Sequence, residues 1–121
     1  MTYIDGFVIA VPTARKADFE HHARTVDSIF FEYGALRVTE CWGDDIPEGE
    51  TTDFRRAVKA TPDETIVFSW IEWPDKASRE DGMKRMMEDP RFASGENPMP
   101  FDGKRMIFGG FHPLIDMKKP G

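Results

Sequence analysis

The stretch from Thr65 to Trp73, TIVFSWIEW, constrains the fold more than any other part of this sequence. Apart from Ser69 and Glu72 it consists of β-branched and aromatic residues, which fit a pleated, packed surface. Pro74 closes it by removing a backbone donor, and an acidic, methionine-rich pattern with helical spacing begins directly after. A run this apolar on both alternating faces belongs in the middle of a sheet, so the rest of the chain has to cover it.

The remaining elements fall into order around that strand. Tyr3 to Val11 is apolar on both of its alternating sets and reads as a second covered strand. Phe19, His22, Ala23, Val26, Ile29, Phe30 and Tyr33 then recur at three- and four-residue spacing, the stripe of a helix with Thr13 as its expected N-cap and Gly34 as its stop. Ala35 to Gly43 returns to strand character, with Leu36, Val38, Glu40 and Trp42 on one face and Arg37, Thr39 and Cys41 on the other. Its polarity places it near an edge. Asp44 to Pro62 reads as a long connection, with a short extended piece at Phe54 to Ala60. Its acids lack the ligand order of a calcium loop and read as solvated. After Pro74, Asp75 or Ser78 caps a helix to about Glu88, with Ala77, Met83, Met86 and Met87 inward and Gly82 as a weak point. Pro90 ends that helix. Arg91 to Gly103 reads as a loop with one helical turn, pinned by Phe92, Met99 and Phe101. Lys104 to His112 is the last strand, and its Gly109 and Gly110 leave room for a close approach.

The order β, α, β, β, α, β is the ferredoxin-like pattern, an α+β fold with an antiparallel sheet in the order 4-1-3-2. It puts Thr65 to Trp73 in the interior of the sheet, as its composition demands. One such domain accounts for residues 1 to 121, with the tail from about residue 113 ordered in part. Two helices cover one face of such a sheet. The other face, carrying Phe7, Phe68 and Trp70 or their alternates, is too apolar for water, which predicts a homodimer.

Charge and cysteine usage narrow the functional classes. Sixteen basic against twenty-two acidic residues give a formal net charge of −6, which disfavours a nucleic-acid partner. The opening MTYIDGFVIAVP has no basic leader and too short an apolar run to be a signal peptide or membrane span, so no membrane partner and a soluble, cytoplasmic protein are expected. Cys41 is the single cysteine, which rules out an internal disulfide and a cysteine zinc cage, and its default reading is a small buried residue. His21 and His22 point about 100° apart on a helix and do not share a metal, and His22 reads as a core or interface histidine. No metal and no cofactor are expected.

The segments YIDGFVIAVP, ALRVTECWGDDIP, DFRRAVKA, DETIVFSWIEWPDK, EDPRF and MPFDGKRMIFGGF resemble the YbaA-like family of bacterial proteins, a domain of unknown function within the dimeric α/β-barrel superfamily. The resemblance spans nearly the whole chain and implies a ferredoxin-like protomer whose sheet packs face to face against a second copy. It carries no settled activity, because the wider superfamily includes cofactor-free monooxygenases, haem-degrading enzymes, muconolactone isomerase-like enzymes and plain ligand-binding modules.

The 4-1-3-2 order itself brings Asp5, Glu72 and His112 to one end of the sheet. Two carboxylates in an apolar site push one pKa upward, and an imidazole titrates near neutrality, so these are candidate acid–base groups. The alternative makes them charged sheet ends paired with lysine or arginine. For binding, Phe7, Trp42, Phe68 and Trp70 are candidate walls for a planar ligand, and Arg105, like Arg37, Arg55 and Arg56, is a candidate anion contact; packing and surface ion pairs are the competing explanations. Three functions follow: a homodimeric module binding a small planar or aromatic metabolite, a cofactor-free monooxygenase or isomerase, and a structural or stress-associated interaction protein.

Overall fold

The computed structural model describes residues 2–93 and 98–121. Four strands, β1 (Tyr3–Pro12), β2 (Arg37–Trp42), β3 (Glu64–Trp73) and β4 (Ile107–Phe111), form an antiparallel sheet in the order β2-β3-β1-β4, which is 4-1-3-2 read from the other edge. The ferredoxin-like α+β fold expected from the sequence is therefore present. The strands β1 and β3 pair along their full length, from Tyr3 opposite Trp73 to Pro12 opposite Glu64.

That register sorts every side chain to a face. Tyr3, Asp5, Phe7, Ile9 and Val11 of β1 face the same way as Trp73, Ile71, Ser69 and Val67 of β3 and as Val38, Glu40 and Trp42 of β2. Onto this face pack α1 (Lys16–Glu32), through Phe19, Ala23 and Ile29, and α3 (Lys76–Met87), through Gly82 and Met86. Ile9, Val11, Phe19, Ala23 and Val67 form one buried cluster; Tyr3, Ala35, Ile71 and Trp73 form a second. Phe7 contacts both, so it belongs to the helix side and not with Phe68 and Trp70.

The opposite face is covered at one end by the connection between β2 and β3. Val58, Ala60 and Ile46 close over Ala10 and Ile66 in a third cluster. The short helix α2 (Phe54–Ala57) lies in this connection, where an extended piece was expected. The side chain of Asp53, in extended backbone, accepts from Arg56 N and starts a helical turn, and this local cap outweighs the strand propensity that follows.

Several local expectations are corrected. Thr13 does not cap α1: a 3-10 turn over Thr13–Arg15 precedes the helix, and the Thr13 hydroxyl bonds that of Thr65 at 2.6 Å instead. Asp75 caps α3, accepting from Ser78 N at 2.7 Å, and Gly34 ends α1 with φ +107°. Of the methionines read as inward on α3, Met86 is buried but Met87 is 79 % exposed, and Ala77 is exposed as well. Gly82 is no weak point, since a Cβ there would stand 2.8 Å from the Trp73 ring and 2.5 Å from the Tyr33 carbonyl. A second short helix, α4 (Pro90–Ala93), begins at the proline expected to end α3, which stops at Met87. The last strand starts three residues later than expected, because Gly103–Arg105 forms a 3-10 turn capped by Asp102. Cys41 is exposed, since the edge strand turns it away from the helices. Among the described residues no helix is long and apolar enough to cross a membrane.

Candidate functional site

The register brings Asp5, Glu72 and His112 to one end of the sheet but not to one face. Glu72 pairs with Ile4, one residue out of step with Asp5, so the two carboxylates project to opposite sides. Asp5 is 3 % exposed and engaged, accepting from Trp73 Nε1 at 2.9 Å and from Arg79 Nη2 at 2.7 Å. Glu72 looks out beside Arg37, 3.9 Å away. His112 follows β4 and sets its ring edge-on to Tyr3 at 5.1 Å. The close neighbour of Gly110 is the Tyr3 hydroxyl, which occupies the space a Cβ would take.

The five candidate binding residues divide among different places. Phe68 and Trp70 lie together on the face away from the helices, ring centroids 5.7 Å apart. With Ile4, Ile107 and Phe111 they border an open, almost wholly apolar depression of about 710 Å³. Phe7 reaches its rim and stacks on Phe108 at 6.4 Å. Arg105 is committed elsewhere. It grips Glu64 with two bonds of 2.8 and 2.7 Å, Asp102 at 3.0 Å and the Lys59 carbonyl at 2.9 Å, so it has a structural role in the fold. Trp42 stands on the edge strand facing α1.

Around Trp42 the structure reveals a site that strand order and spacing did not point to. A groove of about 510 Å³ runs between α1 and β2, walled by Phe19, Phe31 and Trp42. A smaller inner cavity of about 140 Å³ lies behind it, between α1 and the sheet, and reaches Phe7, Ser69 and Phe101. Phe19, Ala23, Asp27, Val38 and Glu40 line both spaces, so the groove opens inward at that point. Asp27 occupies the position on α1 one turn beyond Ala23 and two beyond Phe19, and Glu40 stands between Val38 and Trp42 on β2. Each is an acid in an apolar row. Asp27 is hydrogen-bonded to Glu40, and its pKa is raised from 3.8 to about 8, by burial first and then by the negative charge and hydrogen bond of Glu40. The pair therefore holds a proton at neutral pH. His22, further along the inner cavity, has a pKa lowered by burial and by His21, and packs edge-on to Phe101 at 6.4 Å.

The signal was present in the pattern: two carboxylates, on two neighbouring elements, each on the face that the apolar residues select for burial. What the pattern lacked was the distance between them. Among the described residues no group of three or more His, Cys, Asp or Glu side chains could hold a metal ion.

The family described as "Protein of unknown function (DUF1428)" matches residues 2–103. The protein of Escherichia coli (strain K12) described as "Uncharacterized protein YbaA" is 52 % identical over 116 residues, covering 96 % of this chain and 99 % of its own. Its Shigella flexneri counterpart matches to the same extent. Among solved structures, a dimeric ferredoxin-like protein from an uncultured marine organism aligns over 98 % of both chains at 12 % identity and a TM-score of 0.53. SnoaB, a cofactor-independent oxygenase from Streptomyces nogalater, covers 98 % of this chain and 96 % of its own at 15 % identity and a TM-score of 0.56. At these identities the structural likenesses establish the fold.

Proposed function

The chain belongs to the DUF1428 family, whose fold is that of small dimeric ferredoxin-like proteins, and from that premise we propose that it is a homodimeric module that binds a small planar or aromatic molecule in the groove between α1 and β2. The observation that carries this reading is the groove itself. It is concave, walled by three aromatic side chains and continuous with an inner cavity, and the Asp27–Glu40 pair stands where the two spaces meet, with Lys16, Glu20 and Arg24 also lining the groove. Binding sites for small molecules have this composition, an apolar wall with a few convergent polar groups.

The homodimer rests on the other face of the sheet. Phe68, Ile107 and Phe111 are 45 to 59 % exposed there, around a depression with almost no polar surface. Leaving such a face in water is unfavourable at roughly 25 cal/mol per Å² of apolar area, and a two-fold related copy of the same face removes it from water. The groove lies on the helix side, so dimerisation leaves it open.

Native mass spectrometry of the purified protein tests both halves. The expected result is a dimer carrying a small-molecule adduct, with the adduct lost in Trp42→Ala and the dimer lost in Phe68→Asp. A bare protein whose melting temperature is raised by none of a set of fused two-ring aromatics at millimolar concentration would refute the binding reading. A monomeric wild type would refute the dimer.

A further inference from the structure

Carboxylates buried by this fold are each matched by an arginine. Asp5, Glu64 and Asp89 are 3 to 8 % exposed, and Arg79, Arg105 and Arg91 respectively stand 2.7 Å from them. That is the ordinary way to keep a charge out of water. Asp27 is different. It lies half-buried at the junction of groove and inner cavity, and its hydrogen-bond partner is another acid, Glu40. Among the described residues neither of the two forms a salt bridge.

The charged and titratable groups around the pair are Lys16, Glu20, His22 and Arg24 on α1 and Glu40 on β2; β3 and the segment before β4 line the cavity with Ser69, Ile71, Met99, Phe101 and Met106, none of them ionisable. Arg24 is turned to Glu20, 3.3 Å away. The Lys16 ammonium lies over the Trp42 ring, 5.3 Å from its centre, so this groove wall already makes a cation–π contact. Among the described residues, the space beside Asp27 and Glu40 thus has two acids, aromatic walls and no cation paired with either acid.

We infer that the groove takes an organic ammonium: a molecule with a planar, apolar body against Phe19, Phe31 and Trp42 and a protonated amine set between Asp27 and Glu40. This deepens the binding reading above and rests on it. In the empty groove a proton bridges the two acids. An incoming ammonium replaces it, supplying N–H donors to both carboxylates and releasing the shared proton to solvent. The overall charge of −6 favours approach of a cation over an anion.

The linkage gives a signed test. Because a proton competes with the ligand for the pair, affinity rises as the pair loses it, until the amine itself deprotonates. A ligand that accepts a hydrogen bond from the protonated pair shows the reverse. Calorimetric titration of the full-length protein with naphthylmethylamine, naphthylmethanol and naphthoate separates the cases. The amine is expected to bind on the order of tenfold tighter at about pH 8.5 than at about pH 6.5, with net proton release seen as a dependence on buffer ionisation heat. Asp27→Asn and Glu40→Gln abolish the pH dependence and the advantage of the amine, while residual binding of the alcohol reports that the groove is intact. If the alcohol binds as well as the amine, or the amine weakens as pH rises, the ammonium assignment falls and the groove reading stands. If none of the three binds at millimolar concentration, both fall.

Discussion

Replacing Asp27 by Asn provides a test of the acid pair that needs no ligand. The Asp27 carboxyl has its pKa raised from 3.8 to about 8 in the fold, so between those values the native protein holds a proton that the unfolded chain has released. The native state then binds more protons than the unfolded state, and stability falls as pH rises through that window. A tenfold change in proton affinity corresponds to about 1.4 kcal/mol, which sets a ceiling of about 6 kcal/mol on the effect. The groove is open to solvent on one side, and water entering it screens the ionised pair, so a loss of ~2 kcal/mol between pH 5 and 9 is expected for the wild type relative to Asp27→Asn. Urea unfolding at fixed protein concentration, followed by the fluorescence of buried Trp73, measures it. Asp53 and Glu64 are lowered to about 2 and Asp89 further by Arg91 and Tyr33, so they titrate below the window. His22, whose pKa burial lowers, works with the opposite sign at its acid end, but it is common to both proteins and cancels in the difference. Wild type and Asp27→Asn running parallel from pH 5 to 9 would refute the reasoning. So would a variant less stable than wild type at pH 9.

Gly82→Ala is expected to destabilise the protein by ~2 kcal/mol in thermal or urea unfolding, because its Cβ would push into the Trp73 ring and the Tyr33 carbonyl, neither of which yields freely. Arg79→Met strands the Asp5 carboxylate against the Trp73 indole and should cost ~3 kcal/mol, most of it recovered in the double variant with Asp5→Asn. That recovery is the mark of an uncompensated charge, and its absence would point to lost packing instead.

The sheet was legible because alternation and strand order are local in sequence. TIVFSWIEW announced a covered strand, and the order of elements then dictated which strands flank it. The site was less legible. Strand topology brought Asp5, Glu72 and His112 to one end of the sheet, but a one-residue offset in register decides which face a side chain takes, and the offset comes from pairing. The acid pair reasoned for Asp5 and Glu72 has its counterpart in Asp27 and Glu40, whose meeting depends on how α1 leans on the edge strand. Arg105 read as an available cation, whereas its partner Glu64 is 41 positions away. Gly82 read as a helix defect for the same reason, since the Trp73 ring that needs its bare backbone comes from another element.

The connection between β2 and α2 carries one more consequence. Its backbone forms no strand over residues 43–53, yet a single guanidinium ties it together: Arg56 donates to Asp53 at 2.9 Å, to the Glu50 and Thr51 carbonyls at 3.2 and 3.0 Å, and to the Gly49 carbonyl. Trypsin must draw an arginine side chain into its own pocket before it cuts, and here that side chain is already spoken for four times over. Cleavage after Arg56 therefore has to wait for the segment to open, so the rate at which trypsin nicks this bond becomes a clock for local opening of the connection whose Ile46, Val58 and Ala60 shield Ala10 and Ile66.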